Sequence, residues 1–265
     1  MTDETPVRLD ATRAGVAILT LDHPETANAL NPDVIARLAG YLEELRGADG
    51  VRAVIIEGAG ADFSAGSDPG WLRYTADYTH ADNLADGRAL ARLLHLLRHL
   101  PMLTVALVDG RAHGAGLGLV AACDVAIATQ TASFALDEVR RGYLPAVPAP
   151  YVAEAIGLSH LRRLMLTGRP IEAREAQAMG LVHSLVADRA GLAEASEALM
   201  ADVFAVAPGA LADGKALLDR LAHMPLDQRT ESETARAYAD SRGTDEAKAG
   251  LAAALAGRPM PWTEL

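Results

Sequence analysis

The sequence has only one cysteine and fewer basic than acidic residues. Because Cys123 is alone, the chain cannot form an intrachain disulfide or a cysteine metal cluster. We interpret Cys123, which lies in an apolar stretch, as a buried and inert thiol. The 24 Lys and Arg residues against 35 Asp and Glu residues give a net charge of −11. That balance argues against surfaces for nucleic acid or anionic membranes, which both need clustered basic residues.

Long apolar runs are also missing. No run approaches the ~20 residues that a membrane-spanning helix needs, and residues 1–4 carry acid where a signal peptide carries base. We therefore expect a cytoplasmic protein with no membrane partner. A chain of 265 residues is long enough to bury a core of its own without disulfides.

Strand and helix patterns alternate along the first half of the chain. Apolar, β-prone runs predict strands at residues 15–21, 51–57, 103–108 and 125–128. Between them, helical spacing predicts a helix capped by Asn31 and another over residues 81–100. This rhythm predicts an α/β fold with crossover connections. The second half reads mainly as helices, at 149–156, 159–166, 173–179, 191–204, 210–221 and 229–239, with one strand at 181–186.

The stretch from residue 103 to residue 128 is where we expect the chemistry. A strand ends at the turn-forming Asp109 and Gly110, and a glycine-rich run from Gly114 to Gly118 then opens a short helix. Backbone N–H groups near Ala115 are therefore expected at a helix N-terminus, unpaired and suited to a developing negative charge. The glycines match neither the dinucleotide nor the P-loop pattern. Glycines that merely allow close helix packing are the alternative.

Three more blocks accompany this stretch, and all four have a familiar order and spacing. They are HPETANALN at residues 23–31, DFSAGSD at 62–68 and FALDEVRRGYLP at 134–145. Together the blocks resemble the enoyl-CoA hydratase/isomerase (crotonase) superfamily over residues 16–262. The resemblance implies a crotonase (ClpP-like) spiral of β-β-α turns over residues 1–200, which holds an acyl-CoA site. It also implies a C-terminal helical region, 201–265, that builds a homotrimer or a dimer of trimers.

The resemblance implies a catalytic site for chemistry next to a thioester. Such chemistry needs the carbonyl oxygen to be held as it gains enolate character. The matching positions for the two backbone donors are Ser67 and Ala115, and Glu138 matches the principal acid/base. A buried glutamate suits proton exchange because desolvation raises its pKa. Read without the other blocks, Glu138 would be a solvated surface acid.

The resemblance also places the substrate. It implies an acyl-CoA thioester as substrate, with no permanent cofactor and no metal. Coenzyme A would run past Ala27, Ala29, Ala65 and Asp68, and Gly114 and Gly118 would also belong to the substrate-binding site. Asp68 has a plainer interpretation as a helix cap. Two lysines common in the family are replaced by Gly70 and Gly257, so no phosphate partner is assigned, although Arg73 and Arg258 stand nearby.

Gly118 departs from the usual hydratase pattern, in which a second glutamate at this position shares the attacking water. Residues 138–152 and the Gly118-Leu119-Val120 triplet resemble the bacterial methylglutaconyl-CoA and isohexenylglutaconyl-CoA hydratase branch, which also has glycine here. We expect Gly118 to open space near the reacting carbon. Arg140 or Arg141 would pair with a distal substrate carboxylate, or would form an ordinary surface ion pair.

These residues favour a hydratase that acts on a branched enoyl-CoA, with or without a distal carboxylate, through Glu138 alone. One alternative is an enoyl-CoA isomerase that uses the same glutamate as its proton shuttle. Another is a catalytically silent acyl-CoA-binding homologue. A decarboxylase or a dehydratase would share the same oxyanion hole.

The histidines offer weaker candidates. His113 precedes Gly114, and we read it as a lining residue or an auxiliary acid/base. His95 and His99 have the i, i+4 spacing of metal ligands, but no third ligand follows in the sequence. We therefore predict no metal there.

Overall fold

The structure, a computed structural model, describes residues 5–13, 15–222 and 224–263. Over these ranges the chain forms two β-sheets with helices around them. The strands are β1 (Val7–Arg13), β2 (Val16–Leu21), β3 (Ala53–Gly58), β4 (Leu103–Val108), β5 (Arg111–His113), β6 (Val125–Thr129), β7 (Ser133–Ala135), β8 (Ile171–Glu172) and β9 (Ser184–Val186). The helices are α1 (Pro32–Arg46), α2 (Pro69–Thr75), α3 (His80–Arg98), α4 (Ala115–Ala122), α5 (Ala149–Thr167), α6 (Ala173–Ala178), α7 (Arg189–Ala205), α8 (Pro208–Leu221), α9 (Gln228–Gly243) and α10 (Asp245–Leu255).

The larger sheet has six strands in the order β1-β2-β3-β4-β6-β9 and is parallel except for the β1–β2 pair. It is buried on both faces, as a parallel sheet requires. Ile55 and Val105 lie on the face that packs against the α7 residues Leu192, Met200 and Val203. Their neighbours Val54 and Ala106 point to the opposite face and join the main core.

The smaller sheet lies beside the larger one and supplies the second strand of each turn of the spiral. It pairs β5 with β7 in parallel and β7 with β8 in antiparallel fashion. Two single-residue bridges, Leu30 with Ser67 and Ser64 with Ala112, link the earlier segments to it. After a strand in the large sheet, the chain thus passes through a short segment beside the smaller one. The predicted crotonase spiral of β-β-α turns is confirmed.

The strand and helix predictions are right for the long elements. Asn31 caps α1 through a 3.0 Å bond from Val34 N–H to its side chain, and the two predicted pieces at 149–166 are one element, α5, broken at Gly157. The sequence missed β1, α2, α10 and the short strands β5, β7 and β8. The turn at Asp109 and Gly110 therefore leads into β5 and not directly into the glycine-rich run, which corrects that prediction. A three-residue strand has too little sequence pattern to be recognised, because its pairing partners define it.

Two cations, the buried Arg52 and the partly buried Lys215, connect the C-terminal helices to the sheet core. The Arg52 guanidinium donates to the Val203 carbonyl at 3.0 Å and to the Trp262 carbonyl at 3.3 Å. Lys215 on α8 reaches the Met102 carbonyl at 2.9 Å and the Asp124 carboxylate at 2.5 Å. The division at residue 200, the trimerisation role of these helices and the cytoplasmic location stay predictions.

No single helix within the described ranges is long and apolar enough to cross a membrane. By length and composition alone, α7 and α8 together meet the criterion for a membrane span, with a bend of 101° between them.

Asn28 organises the loop that follows β3. Its side chain accepts from His23 N–H at 2.9 Å and donates to the Ala59 and Asp62 carbonyls at 2.8 and 2.7 Å. Asn28 is almost fully buried and has a left-handed backbone, with φ of 54°. Asparagine tolerates that conformation better than most residues. One side chain thereby fixes both ends of the segment that leads to Ser67.

We predict that Asn28→Ala lowers the free energy of unfolding by about 3 kcal/mol, because it leaves three partly buried backbone groups without their partner. Urea denaturation measures the change. Gln130→Ala, which removes an exposed amide, serves as the control and should change stability by less than about 0.5 kcal/mol. Equal effects of the two substitutions would contradict the role given to Asn28.

Candidate active site

A cavity of about 590 Å³ lies between the glycine-rich turn and helices α2 and α3. Ser67, Ala115 and Glu138 all line it. The structure therefore brings together the three residues that the sequence predicted to be catalytic, although they lie in three separate blocks of the chain.

The N–H group of Ser67 takes no part in the bridge that Ser67 forms with Leu30. In the bridge to Leu30, Leu30 N–H donates to the Gly66 carbonyl at 2.7 Å and Asp68 N–H donates to the Leu30 carbonyl at 2.9 Å. Ser67 N–H therefore points away from Leu30, since alternate N–H groups of a strand face opposite sides. It has no acceptor in the described part of the chain.

The second donor arises at a helix start. Ala115 is the first residue of α4 and Gly114 is its N-cap, so the Ala115 N–H has no partner within the helix. Gly114 has φ of +52° and Gly66 has φ of +92°, and a Cβ at Gly114 would lie 3.7 Å from the Gly66 Cα. The two turns thus touch backbone to backbone. Only glycine gives both the left-handed conformation and this approach.

Glu138 begins a 3₁₀ turn, Glu138–Arg141, and is only 4% exposed. Its Oε1 lies 2.7 Å from where a Cβ at Gly114 would be. Its Oε2 is buried without a hydrogen-bond partner. Burial raises the pKa of Glu138, and the neighbouring Asp137 raises it further. A carboxyl group in this state is poised to exchange protons with a group in the cavity.

Gly118 does not open space, which corrects our expectation. A Cβ at this position would lie 2.9 Å from the Pro148 Cβ and 3.1 Å from the Leu94 Cδ1. The volume that a second glutamate occupies in the usual pattern is therefore filled by Pro148 and Leu94. Asp86 and Glu138 are the carboxylates among the cavity residues, and Glu138 is the one whose Oε1 lies 2.7 Å from the Cβ position of Gly114.

The four residues predicted to contact coenzyme A, Ala27, Ala29, Ala65 and Asp68, do not line the cavity. Asp68 caps α2 by accepting from Trp71 N–H at 2.9 Å, which is the plainer of its two interpretations. Ala65 N–H donates to the Ala27 carbonyl at 2.9 Å, and Ala29 is buried. Leu30 and Ser67, next to these residues, line the cavity instead.

The two arginines have different surroundings. Arg141 lines the cavity, holds Asp137 through two 3.0 Å bonds and stands over the Tyr143 ring. Arg140 is exposed, and its Cγ lies 3.0 Å from where a Cβ at Gly168 would be. Only Arg141 is placed to meet a substrate.

His95, His99 and His113 are not among the residues that line the cavity. His113 Nε2 is 3.1 Å from the Ser133 hydroxyl, and burial lowers the pKa of this histidine. His95 and His99 pack ring to ring with centroids 4.0 Å apart. Over the ranges that the structure describes, no group of three or more His, Cys, Asp or Glu side chains is arranged to hold a metal ion.

One wall of the cavity was not predicted from the sequence. It is built by residues of α2 and α3 that recur at helical spacing along each helix. The wall residues are Trp71, Leu72, Thr75, Asn83, Asp86, Gly87 and Leu90. The spacing of residues 83, 87 and 90 was visible in the sequence, but nothing in it showed which cavity that face would line.

Residues 11–264 match the family described as enoyl-CoA hydratase/isomerase. The chain belongs to this family. A Thermus thermophilus relative, provisionally named an enoyl-CoA hydratase, is 36% identical over 92% of this chain and 96% of its own length. Among solved structures, an enoyl-CoA hydratase from Shewanella pealeana aligns with a TM-score of 0.93 and 33% identity, over 97% of this chain and 96% of that one.

Pseudomonas aeruginosa AtuE aligns equally well, with a TM-score of 0.93 and 34% identity over 98% of this chain and all of that one. This hydratase/isomerase family member is therefore an enzyme with the crotonase fold, and CoA thioesters fit it as substrates. The predicted family, fold and class of enzyme are confirmed.

We predict that kcat/KM rises with pH, with a midpoint above the ordinary glutamate pKa of ~4.3. The reason is that Glu138 must be ionised to take a proton, while burial raises its pKa. A pH profile of kcat/KM measures this. A profile that is flat from pH ~5 upward would contradict it, since an unperturbed glutamate is already ionised there.

Glu138→Gln is the matched variant, and it should lose ~10²–10⁴-fold in rate along with the rising limb. The stability of Glu138→Gln tells whether the loss of rate comes from unfolding. Because the pKa of Glu138 is raised in the folded protein, its ionisation opposes folding as the pH rises from the unfolded pKa through the folded pKa. The variant, which cannot ionise, should be at least as stable as the native protein at neutral pH.

Proposed function

We propose that this enzyme adds water to, or removes it from, the α,β double bond of a branched enoyl-CoA thioester. The observation that carries the proposal is the placement of a buried carboxylate with an unpaired oxygen beside two unpaired backbone N–H groups, all at one cavity.

In the hydration direction, Ser67 and Ala115 N–H donate to the thioester oxygen. They stabilise the negative charge that this oxygen gains when water adds to the β-carbon. Removing one such donor typically costs ~2.7–4 kcal/mol of transition-state stabilisation. Because both donors belong to the backbone, serine and alanine serve equally well.

Glu138 takes a proton from the attacking water as its oxygen bonds to the β-carbon. The same carboxylic acid then gives that proton to the α-carbon as the enolate collapses, so the glutamate returns to its starting state. One carboxylate is enough for both transfers, because the group that accepts the proton of the water can return it to the α-carbon. The filled space at Gly118 fits a mechanism with a single acid/base.

The resemblance to the methylglutaconyl-CoA branch supports a branched acyl chain. Gly118, which we expected to make room for the branch, does not do so.

We predict that the protein, incubated in heavy water with a mixed panel of 2-enoyl, 3-enoyl and 3-methylglutaconyl thioesters, converts a 2-enoyl thioester into a product heavier by one water. Mass spectrometry detects the product, and Glu138→Gln should lose it because no base remains to activate water. Double-bond migration with no gain of water would show an isomerase instead. Saturable binding without any conversion would show a silent acyl-CoA binder.

A distal carboxylate on the acyl chain is a second candidate feature, favoured by one observation. Arg141 lines the cavity and is partly exposed, whereas Asp137 already holds both of its terminal nitrogens. A substrate carboxylate would share Arg141 with Asp137 and gain a charge-assisted hydrogen bond.

If the substrate carries that carboxylate, we predict that Arg141→Gln lowers kcat/KM for 3-methylglutaconyl-CoA about tenfold or more. For the analogue with a methyl group in place of the carboxylate, the change should be less than about twofold. Arg140→Gln is the matched control, because Arg140 does not line the cavity. Equal turnover of both thioesters in every variant would exclude the carboxylated substrate.

A further inference from the structure

The two backbone donors lie equally far beyond one bridge between their segments. The bridge pairs Ser64 with Ala112 in parallel, through backbone hydrogen bonds of 2.8 and 3.0 Å. Ser67 follows Ser64 by three residues, and Ala115 follows Ala112 by three residues. Two parallel segments that are in register at a bridge advance together. The register of this bridge therefore decides whether the two N–H groups reach the cavity side by side.

The glycines between the bridge and the donors show that the register is kept. Gly66 and Gly114 each lie two residues beyond the bridge. A Cβ at Gly66 would lie 2.9 Å from the His113 carbonyl oxygen and 3.6 Å from the Gly114 Cα. The segments thus still touch one residue before the donors. A slip of one residue would displace one donor from the other by ~3.3 Å along the chain.

The bridge by itself is too short to fix this register. In longer strands, a pattern of buried and exposed side chains makes each slip costly. Here β5 has three residues, Arg111–His113, and its pairing with the loop before Ser67 is a single bridge. A further contact between the two segments must hold them level.

Asp62 and Arg111 provide that contact. The Asp62 Oδ1 accepts from the Arg111 backbone N–H and from its Nε, both at 2.9 Å, and Oδ2 accepts from Nη2 at 2.8 Å. The guanidinium and the backbone N–H belong to one residue, so the carboxylate is tied to one position of β5. Such two-point binding of a carboxylate by arginine is geometrically specific.

The neighbouring Gly110 lets the two segments come this close. A Cβ there would lie 2.9 Å from the Asp62 Oδ1 and 2.1 Å from the Ala61 carbonyl oxygen. Any other residue would push the loop away from β5.

The pair supplies position more than stability. The Arg111 side chain is 49% exposed, and ion pairs with an exposed partner add little to the stability of a fold. The hydrogen bonds from Arg111 lower the pKa of Asp62, so the carboxylate stays ionised at neutral pH. A misplacement of ~1 Å at a reacting group, by contrast, can cost ~10²-fold in rate.

Two other side chains hold the same loop. Asn28 binds the Ala59 and Asp62 carbonyls, and Arg189 joins the Gly60 carbonyl to the Asp109 carboxylate. Within the described ranges, neither of them bonds to a residue of β5. The link between the two segments that present the donors is therefore the one between Asp62 and Arg111.

We propose that Asp62 and Arg111 are a positioning pair, which sets the register between the loop before Ser67 and the strand before Ala115 so that both N–H groups meet one thioester oxygen. The proposal rests on the proposed function only in taking these two N–H groups as the donors to that oxygen. Neither residue touches the substrate.

The first test observes the donors directly and needs no turnover. Isotope-edited infrared spectroscopy follows the carbonyl stretch of bound hexanoyl-CoA labelled with ¹³C at the thioester carbon, a saturated thioester that cannot be hydrated. Hydrogen bonds from both donors should lower this stretch below its value in water. Asp62→Ala removes all three bonds of the pair and should abolish most of the shift. Arg111→Ala keeps the bond from the backbone N–H and should abolish part of it.

Kinetics separate positioning from binding. On a thioester that the enzyme hydrates, Asp62→Ala should lower kcat ~10²-fold. KM should change less than about threefold, because the donors stabilise the transition state more than the bound substrate.

Arg220→Ala is the matched control. Arg220 is also 49% exposed and pairs with Glu233 at 2.7 Å, and neither residue lines the cavity. This variant should keep the native stretch and the native kcat. Thermal unfolding of all three variants identifies any that misfold. If Asp62→Ala does not fold, Arg111→Ala decides the outcome.

A native stretch in both Asp62→Ala and Arg111→Ala, or an equal loss of the shift in Arg220→Ala, would overturn the proposal. A native protein that does not lower the stretch would overturn it too, together with the oxyanion hole. The hydratase function fails separately. A shift that depends on Asp62 and Arg111, in a protein that adds no water to any enoyl-CoA, would support the positioning pair and exclude the hydratase.

Discussion

The contact between the Gly66 and Gly114 backbones is the constraint on which the site depends. These glycines belong to successive turns of the spiral, and both have positive φ. Because no side chain separates them, the turns approach closely enough to bring the Ser67 and Ala115 N–H groups to one cavity. The same lack of a side chain at Gly114 lets the Glu138 carboxylate approach. A methyl group at either glycine would separate the donors from the base.

Polar contacts away from the cavity hold that backbone contact in place. Asn28 fixes the loop after β3 from one side. On the other side Arg111 N–H and its guanidinium bind the Asp62 carboxylate at 2.8–2.9 Å, and this pairing lowers the pKa of Asp62. The loop that presents Ser67 is thus braced at its base, whereas Ser67 N–H itself is left free. Such bracing keeps the donors preorganised before substrate binds.

The cavity contains the groups that the fold leaves unsatisfied. Glu138 Oε2 and Trp71 Nε1 are buried without partners, and Asp86 has no cation beside it. The two buried atoms oppose folding, since a buried polar group without a partner costs stability. The interior elsewhere pairs its polar groups, as Arg52, Lys215 and Asp124 show.

The sequence by itself determined the long elements, the family and the three central residues of the site. Periodic apolar patterns depend on neighbours in the chain, so the α/β rhythm, α1 and the main parallel strands could be predicted. Ser67, Ala115 and Glu138 could be placed because each sits in a short block with its own pattern.

Tertiary structure alone decided what fills the space around them. Pro148 and Leu94 occupy the volume beside Gly118, and α2 and α3 bring Trp71 and Asp86 into one wall. These contacts join residues tens of positions apart in the chain, so no local pattern encodes them. The shape of the cavity depends on how side chains from distant elements pack, and that packing exists only in the folded protein.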